Sequence, residues 1–329
     1  MSSTRQDLDP RLVEMELAHE PNDDPTWQES LLIFWADPAL GVGGLHRIGH
    51  EPNRGVGDLW CGLVTERHRY RRDAELVPIG ADDRTVPAFG LDEHRFTLDP
   101  RGMRFMVREP ELSLDLAIED FAPMGPVHAP DGLEAVGRAT VRNHLENHGR
   151  ATGRLTMGDE EVAIDAMCVR DHSWGPRDWS VIVGHRWVAG TFGPDLSFSA
   201  TVMQGTDHRF LATGVVIRDG RLLRARDIDI VVHLESDGLS HRGGSLAMQL
   251  EDGTELAMDI ETYDGWVFNA HEHVEVDTVC WATTKDGRRG ICDLEVSNGR
   301  RTAEMDIAMR AAAADGLTRR TSPTRLAAT

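Results

Sequence analysis

The segment Val169–Trp179 concentrates side chains that are suited to chemistry. If the chain remains extended here, Arg170, His172 and Trp174 project from one face of a strand, and Asp171 projects from the other. Histidine titrates near neutral pH, and burial or a neighbouring charge shifts its pKa easily. An imidazole beside an indole and a guanidinium therefore suits proton transfer in a dry pocket.

The same segment also allows a purely structural interpretation. Asp171 and Arg177 could form an ion pair that closes the end of a strand, while Trp174 fills a barrel. A nucleophilic mechanism is not indicated, because no Gly-x-Ser-x-Gly motif occurs and no cysteine has flanks typical of an activated thiolate.

A second group of candidate residues is His271-Glu272-His273. Residues i and i+2 of a strand share a face, so His271 and His273 could bind one metal ion. No histidine follows His273 in the sequence, so such a site would have to recruit His172, His185 or His233. A polar strand edge is the alternative interpretation. We expect no bound metal ion and no cofactor.

The elements that must position these residues follow a period of two, which is typical of half-buried strands. Apolar and polar residues alternate over 112–119, 162–168 and 196–202. Two such runs, 246–250 and 256–260, flank Asp252-Gly253, which predicts a hairpin with a type I′ turn. No Gly-x-Gly-x-x-Gly or Gly-x-x-x-x-Gly-Lys motif occurs, which argues against a nucleotide-binding α/β fold.

Composition changes between Gly149 and Gly158, where long loops give way to closely spaced strands. We therefore predict two β-rich domains, 1–155 and 156–312, followed by a loose tail at 313–329.

The run Asp171-His172-Ser173-Trp174-Gly175 resembles the Asp-His-x-Trp-Gly motif of the carotenoid 1,2-hydratase (hydroxyneurosporene synthase) and AttH-like superfamily. The longer run from Arg170 to Trp179 is similar to a bacterial branch of that superfamily. The early segments Trp27-Gln28-Glu29-Ser30 and Gly43–Gly49 also resemble the first half of that branch. Ser173 departs from the hydratases, which usually carry Asn at that position.

This resemblance implies an all-β fold of two consecutive lipocalin-like antiparallel β-barrels or sandwiches, with few short helices and a cavity for hydrophobic molecules. It also implies that His172 and Trp174 lie at an active site, with Asp171 beside them, where an acid protonates an isoprenoid double bond. Tyr263-Asp264 stands in for a second acidic motif by its order along the chain. An indole stabilises a carbocation by about 0.5–2 kcal/mol, so the expected walls of the pocket are Trp174, Trp179, Trp187 and Trp266.

Charge restricts the partners. The chain has 35 basic and 55 acidic residues, a formal charge of −20, which argues against a nucleic-acid partner. The longest unbroken apolar run, Leu31–Ala36, is far shorter than the roughly 20 residues of a membrane helix, so membrane insertion is not expected. The N-terminus has no signal-peptide pattern and the cysteines never occur as Cys-x-x-Cys, which predicts reduced thiols and a cytoplasmic protein.

We therefore expect a metal-free enzyme that hydrates, dehydrates, isomerises or cyclises a double bond in a small isoprenoid-like or polycyclic molecule. His172 is the expected proton donor or acceptor, Asp171 orients it, and Arg170 binds a polar end of the ligand. A non-catalytic carrier of a lipid-like ligand is one alternative. A metal-dependent enzyme that uses His271 and His273 is the other.

Overall fold

The computed structural model describes residues 16, 18–85, 88–99, 102–121, 125–126, 143–271, 273–299 and 324–326. Their regular structure is β-strand apart from two 3-10 turns, at Pro52–Arg54 and Trp179–Val181, so the predicted all-β class is confirmed. The chain forms two compact units, one comprising Met1–Pro126, Val141–Arg177 and Pro323–Thr329, the other Val127–Thr140 and Asp178–Ser322. None of the described helical segments has the length and apolar character needed to cross a membrane.

The first unit is a 13-stranded sheet. Its strands are β1 (Trp27–Asp37), β2 (Val42–Glu51), β3 (Val56–Val64), β4 (His68–Pro78), β5 (Arg84–Thr85), β6 (Ala88–Leu91), β7 (His94–Asp99), β8 (Gly102–Glu109), β9 (Leu112–Asp120), β10 (Gly125–Pro126), β11 (Asn143–Met157), β12 (Glu160–Pro176) and β21 (Thr324–Leu326). The order across the sheet is β21-β4-β3-β2-β1-β12-β11-β9-β8-β7-β6-β5, and β10 pairs with β11. The strand β12 therefore lies between β1 and β11, and β5 lies at one end of the order.

Alternating apolar side chains bury one face of this sheet. On β1 the core residues are Leu31, Ile33 and Trp35, and the predicted alternation in β9 and β12 is confirmed. Tyr70 on β4 and Phe89 on β6 stand near opposite ends of the strand order, yet they belong to the same core. The sheet therefore wraps around a single core.

The second unit is a closed barrel in which each strand pairs with the next and the last pairs with the first. Its strands are β13 (Ile182–Thr191), β14 (Leu196–Gly205), β15 (Phe210–Arg218), β16 (Arg221–Leu234), β17 (His241–Leu250), β18 (Glu255–Ala270), β19 (His273–Thr284) and β20 (Arg289–Gly299).

The predicted hairpin at Asp252-Gly253 is confirmed as β17–β18, but its turn is not type I′. Gly253 has a φ of 84°, whereas Asp252 is absent from the described residues with positive φ, and the loop covers 251–254. Both central residues of a type I′ turn need positive φ. Asp219-Gly220 meets that condition, with φ of 49° and 75°.

The two units divide after Arg177, and not after residue 155. The hairpin β11–β12 pairs continuously from Met157 and Glu160 to Asn143 and Trp174, and β12 then pairs with β1. Residues 156–177 therefore belong to the first sheet. The compositional change in the sequence marks the turn of this hairpin.

Only part of the predicted tail at 313–329 is described. Residues 324–326 form β21, which pairs in parallel with β4. The other residues of this range lie outside the described part of the chain.

Candidate active site

The core-facing side of the first sheet becomes polar toward one end of β1 and β12. On β12, the face that carries Cys168 in the core continues with Arg170, His172 and Trp174. The predicted shared face of these three residues is therefore confirmed. On β1 the same face ends at Glu29, which lies opposite Trp174 in the register.

Glu29 is the centre of a buried cluster. Its Oε1 lies 3.0 Å from His172 Nε2 and 2.7 Å from His19 Nδ1. The backbone N–H of His19 also donates to Oε1 and Oε2, and the Arg84 guanidinium lies 2.5 Å from Oε2. We call His19, Glu29, Arg84, His172 and Trp174 the Glu29 cluster.

The charges in this cluster are fixed by burial and by these contacts. Burial opposes the charge on Glu29, but the bonds from His172 and His19 and the charge of Arg84 outweigh it, and its pKa falls to about 2. Burial lowers the pKa of His172 more than Glu29 raises it. At neutral pH the cluster therefore holds an ionised carboxylate beside a neutral imidazole.

This arrangement selects one tautomer of His172. A carboxylate can only accept hydrogen bonds, so Nε2 carries the proton and donates to Glu29. Nδ1 is then a lone-pair acceptor. It is buried, and no other described residue bonds to it. A neutral imidazole whose second nitrogen is held by a carboxylate is the arrangement of a general base.

Aromatic rings flank the two imidazoles. The rings of His19 and Trp174 stack at 3.8 Å with 9° between their planes, and the His172 ring lies 5.0 Å from Trp174. The Arg84 guanidinium lies 5.1 Å above the Trp27 ring. The cluster therefore combines one acceptor nitrogen with flat π surfaces.

Asp171 does not orient His172 as the sequence suggested. It faces the other side of the sheet, where it bonds to His144 on β11, and Arg177 donates to Ser173 on that side at 2.6 Å. Burial opposes the charge of Asp171, but His144 and Arg177 lower its pKa. The orienting carboxylate of His172 is Glu29.

Arg170 is held by carboxylates within its own unit. Its guanidinium makes two bonds to Asp120, at 3.1 and 2.6 Å, lies 3.5 Å from Glu16, and is 2% exposed. These contacts favour a structural role over the predicted contact with a ligand.

Arg170→Met is expected to lower the free energy of unfolding by about 2 kcal/mol. Removing one partner of a fully buried ion pair costs roughly 3–5 kcal/mol, and Asp120 keeps some access to water. The measurement is urea unfolding at neutral pH. Arg150→Met is the matched control, because Arg150 and its partner Asp165 are both exposed, and it should leave stability unchanged. Unchanged stability of Arg170→Met would contradict the structural role.

A family model matches residues 13–300 of the chain, and its description is a domain of unknown function, DUF7064. The chain belongs to the DUF7064 family. No functionally curated protein matches this DUF7064 chain in sequence.

Solved structures share the fold of this DUF7064 chain. A protein of Nitrosomonas europaea (NE1406) assigned as an AttH has a TM-score of 0.64 at 12% identity, covering 85% of this chain and 94% of that one. CghA with Sch210972 has a TM-score of 0.59 at 12% identity, with coverages of 84% and 89%. Kievitone hydratase from Nectria haematococca has a TM-score of 0.55 at 8% identity, with coverages of 85% and 90%. The predicted AttH-like fold is confirmed.

Three members of the Glu29 cluster were not predicted as site residues. Glu29 had a signal in the sequence, because the alternation of Leu31, Ile33 and Trp35 places a carboxylate on the apolar face of the same strand. His19 precedes that strand, and Arg84 lies 55 positions after Glu29 (84 − 29 = 55). No local pattern marks either of them.

The remaining predicted ligand-binding residues of the DUF7064 chain belong to its second unit. Trp179 lies in a 3-10 turn, Trp187 on β13, and Tyr263, Asp264 and Trp266 on β18. Trp187, Asp264 and Trp266 are buried, while Tyr263 is half-buried. Their contact with a ligand stays a prediction.

The predicted strand face shared by His271 and His273 is not found. His271 is a turn residue with a φ of 54°, and Ala270 and His273 face each other across the hairpin. The ring nitrogens of His273 lie 3.2 Å from the Trp179 carbonyl and 3.3 Å from Ser297 Oγ. The chain therefore turns between the two histidines instead of presenting them side by side.

Three other groups of described residues have potential ligand atoms within 4.8 Å of one another: His19, Glu29 and His172; His144, Glu146 and Asp171; and His185, Glu275 and Glu295. In the first group, Arg84 already balances the charge of Glu29 and would repel a cation. The Glu29 cluster is therefore better suited to proton transfer than to metal binding.

A groove of about 510 Å³ lies on the outward face of β8, β9 and β11. Its lining includes Arg104, Arg108 and Arg154, whose neighbours Asp115 and Glu161 neutralise them in ion pairs. The groove and His172 are on opposite faces of the sheet, so it does not serve the Glu29 cluster.

Proposed function

We propose that this protein is a hydratase-like enzyme that moves a proton between His172 and a double bond of a small hydrophobic molecule, isoprenoid-like or polycyclic. The observation that carries the proposal is the buried Glu29–His172 pair, in which no described residue bonds to Nδ1 of His172. Hydration, dehydration, acid–base isomerisation and proton-initiated cyclisation all include such a transfer. None of them consumes a cofactor.

In the dehydration direction, Nδ1 removes a proton from the carbon next to the one that carries the hydroxyl group. The electrons of the C–H bond form the double bond, the C–O bond breaks, and the imidazolium returns the proton to the leaving hydroxide as water. Glu29 stabilises the imidazolium while it exists, because its carboxylate stays ionised throughout. Hydration is the reverse, and isomerisation returns the proton to a different carbon.

The rest of the cluster supports these steps. The indole of Trp174 offers a π face to positive charge on the substrate, worth about 0.5–2 kcal/mol. Arg84 and His19 hold the Glu29 carboxylate, so Glu29 is a positioning residue and His172 is the proposed catalytic residue.

Two structures of the same fold support a reaction or ligand of this kind. One is a hydratase by name, and CghA is described with the compound Sch210972. At identities of 8–12%, these structures establish the fold alone. The proposed mechanism therefore rests on the residues of the Glu29 cluster.

The pH dependence of kcat/KM is expected to test the role of Glu29. The acidic limb should lie below pH 6.5, because activity needs neutral His172 and burial lowers its pKa. In Glu29→Gln the carboxylate no longer favours the imidazolium, so the acidic limb should move to lower pH while kcat falls. A limb that stays in place would exclude the proposed contact between the two residues.

Native mass spectrometry of the purified protein, followed by organic extraction, will identify any bound apolar molecule. That molecule and a panel of isoprenoid alkenes and tertiary alcohols are then incubated with the protein in H₂¹⁸O or D₂O. We expect ¹⁸O in a hydrated product, or deuterium on carbon after isomerisation or cyclisation. Both labels should disappear in His172→Gln and persist in His241→Gln, which replaces a buried histidine of the second unit.

Other outcomes would favour the alternatives. Binding of an apolar molecule without incorporation of either label, with equal affinity in wild type and His172→Gln, would indicate a carrier. Turnover that is lost with EDTA and restored by a divalent metal would indicate a metal-dependent enzyme.

A further inference from the structure

Acidic side chains are concentrated on the outward face of two barrel strands. On β19 and β20 the even-numbered residues, such as Val276 and Val296, point into the barrel core. The odd-numbered residues Glu275, Asp277, Asp293 and Glu295 therefore point away from it, and they are only 2%, 0%, 0% and 8% exposed. Four carboxyl groups are thus buried on one face of neighbouring strands.

A histidine from the adjacent strand reaches this face. His185 on β13 lies opposite Ser297 of β20 in the register, and its Nε2 bonds to Glu295. His185, Glu275 and Glu295 each offer one ligand atom, and the three atoms lie within 4.8 Å of one another. Asp277 and Asp293 flank this group, because both interact electrostatically with Glu295.

Asp277 provides an independent sign that a ligand belongs here. It is fully buried, and no described N–H or O–H group donates to either of its carboxyl oxygens, whose hydrogen-bonding neighbours are the carboxyl groups of Glu295 and Asp293. Asp293 is different, since its Oδ1 accepts from the Thr278 backbone N–H at 2.9 Å. A buried carboxylate without a partner costs several kcal/mol, so Asp277 must hold either a proton or a cation.

One nearby guanidinium, that of Arg186, interacts electrostatically with Glu275 but does not bond to Asp277. Arg186 neighbours His185 but donates to the backbone carbonyls of His185 and Ser297, at 2.7 and 2.9 Å. It is an even-numbered residue of β13, like Val188 in the barrel core, so it projects to the opposite face. Within the described part of the chain, no positively charged side chain bonds to Asp277, so a bound cation is one way to balance its charge.

We propose that His185, Glu275 and Glu295 bind a divalent transition-metal cation, with Asp277 as a further oxygen ligand. One imidazole nitrogen with several carboxylates is a donor set that suits Zn²⁺ or Mn²⁺, whereas Mg²⁺ and Ca²⁺ prefer oxygen alone. The ligands come from β13, β19 and β20, so the bound ion would link the strands that close the barrel. The site uses no residue of the Glu29 cluster.

The test uses the full chain, dialysed first against EDTA and then against metal-free buffer. Zn²⁺ and Mn²⁺ are added separately, and binding is followed by calorimetry and by the midpoint of thermal unfolding. We expect a single strong site and a higher Tm with either ion. Asp277→Asn and Glu295→Gln should each weaken binding by about tenfold or more. Glu255→Gln, an exposed acid of the same unit, should leave it unchanged.

If a variant fails to fold, a measurement on the wild-type protein still tests the site. Electron spin echo spectroscopy of Mn²⁺ bound to the wild type should show coupling to one imidazole nitrogen. Glu29→Gln, which alters the other cluster, should retain that signal. Loss of the signal in Glu29→Gln would move the metal to the Glu29 cluster and overturn the proposal. So would the absence of binding by either ion, accompanied by a more stable Asp277→Asn, because protons would then occupy the carboxyl groups.

Discussion

His172→Gln is expected to lower kcat by about 10²- to 10⁴-fold, the usual contribution of a general acid–base residue. Glutamine can still donate a hydrogen bond to Glu29, so the buried carboxylate keeps a partner. It has no basic nitrogen, so it cannot take the proton from carbon. We expect KM and the affinity for the extracted ligand to change little, because the loss is confined to the transition state.

The measurement is single-turnover conversion of the substrate identified by isotope incorporation. Thermal unfolding of the same samples separates a lost base from a lost fold. His241→Gln is the control, since His241 is also buried and its Nε2 lies 3.1 Å from a backbone carbonyl, that of Leu294. Turnover of His172→Gln within about tenfold of wild type would exclude His172 as the base.

The second large effect is on stability in acid. Burial lowers the pKa of His50 to about 4, although its bond to the Gly90 carbonyl, 2.8 Å from Nε2, opposes the shift. In the unfolded chain this histidine binds a proton near pH 6.5. The buried neutral His50 therefore makes its full contribution to the free energy of unfolding above pH 6.5. This contribution is lost as the pH falls from 6.5 toward 4. A difference of 2.5 pKa units corresponds to about 3 kcal/mol.

His50→Gln isolates this contribution from those of other titrating groups. The glutamine amide can keep the bond to Gly90 and does not titrate. Between pH 7.5 and pH 4, the free energy of unfolding of wild type should fall by about 3 kcal/mol more than that of the variant. Urea unfolding at several pH values measures both. Parallel pH profiles of the two proteins would show that the pKa of His50 is the same in the folded and unfolded states.

The sequence predicts the strands of this protein well because burial on one face imposes a period of two. It places Arg170, His172 and Trp174 on one face for the same reason, and the register of β12 bears this out. It does not reveal the partner of His172. Asp171 is adjacent in the chain but faces away, whereas Glu29 is distant in the chain and adjacent across the sheet.

The two errors of position have a related cause. A hairpin turn and a domain linker have similar compositions, so composition predicts a domain boundary at what is the turn between β11 and β12. The sequence likewise predicts a strand through His271 and His273, although the chain turns there. Both distinctions depend on which segments pair, and pairing over long distances leaves no local pattern.

The position of β12 between β1 and β11 has a consequence for hydrogen exchange. Its residues 167–174 pair with β1 on one side and with β11 on the other. We therefore expect their backbone amides to exchange only through global unfolding. His19 precedes the sheet and Arg84 lies on its terminal strand, where exchange should be faster by orders of magnitude. We therefore expect His172 to be held rigidly, and we expect His19 and Arg84, which contact the Glu29 carboxylate, to move more readily.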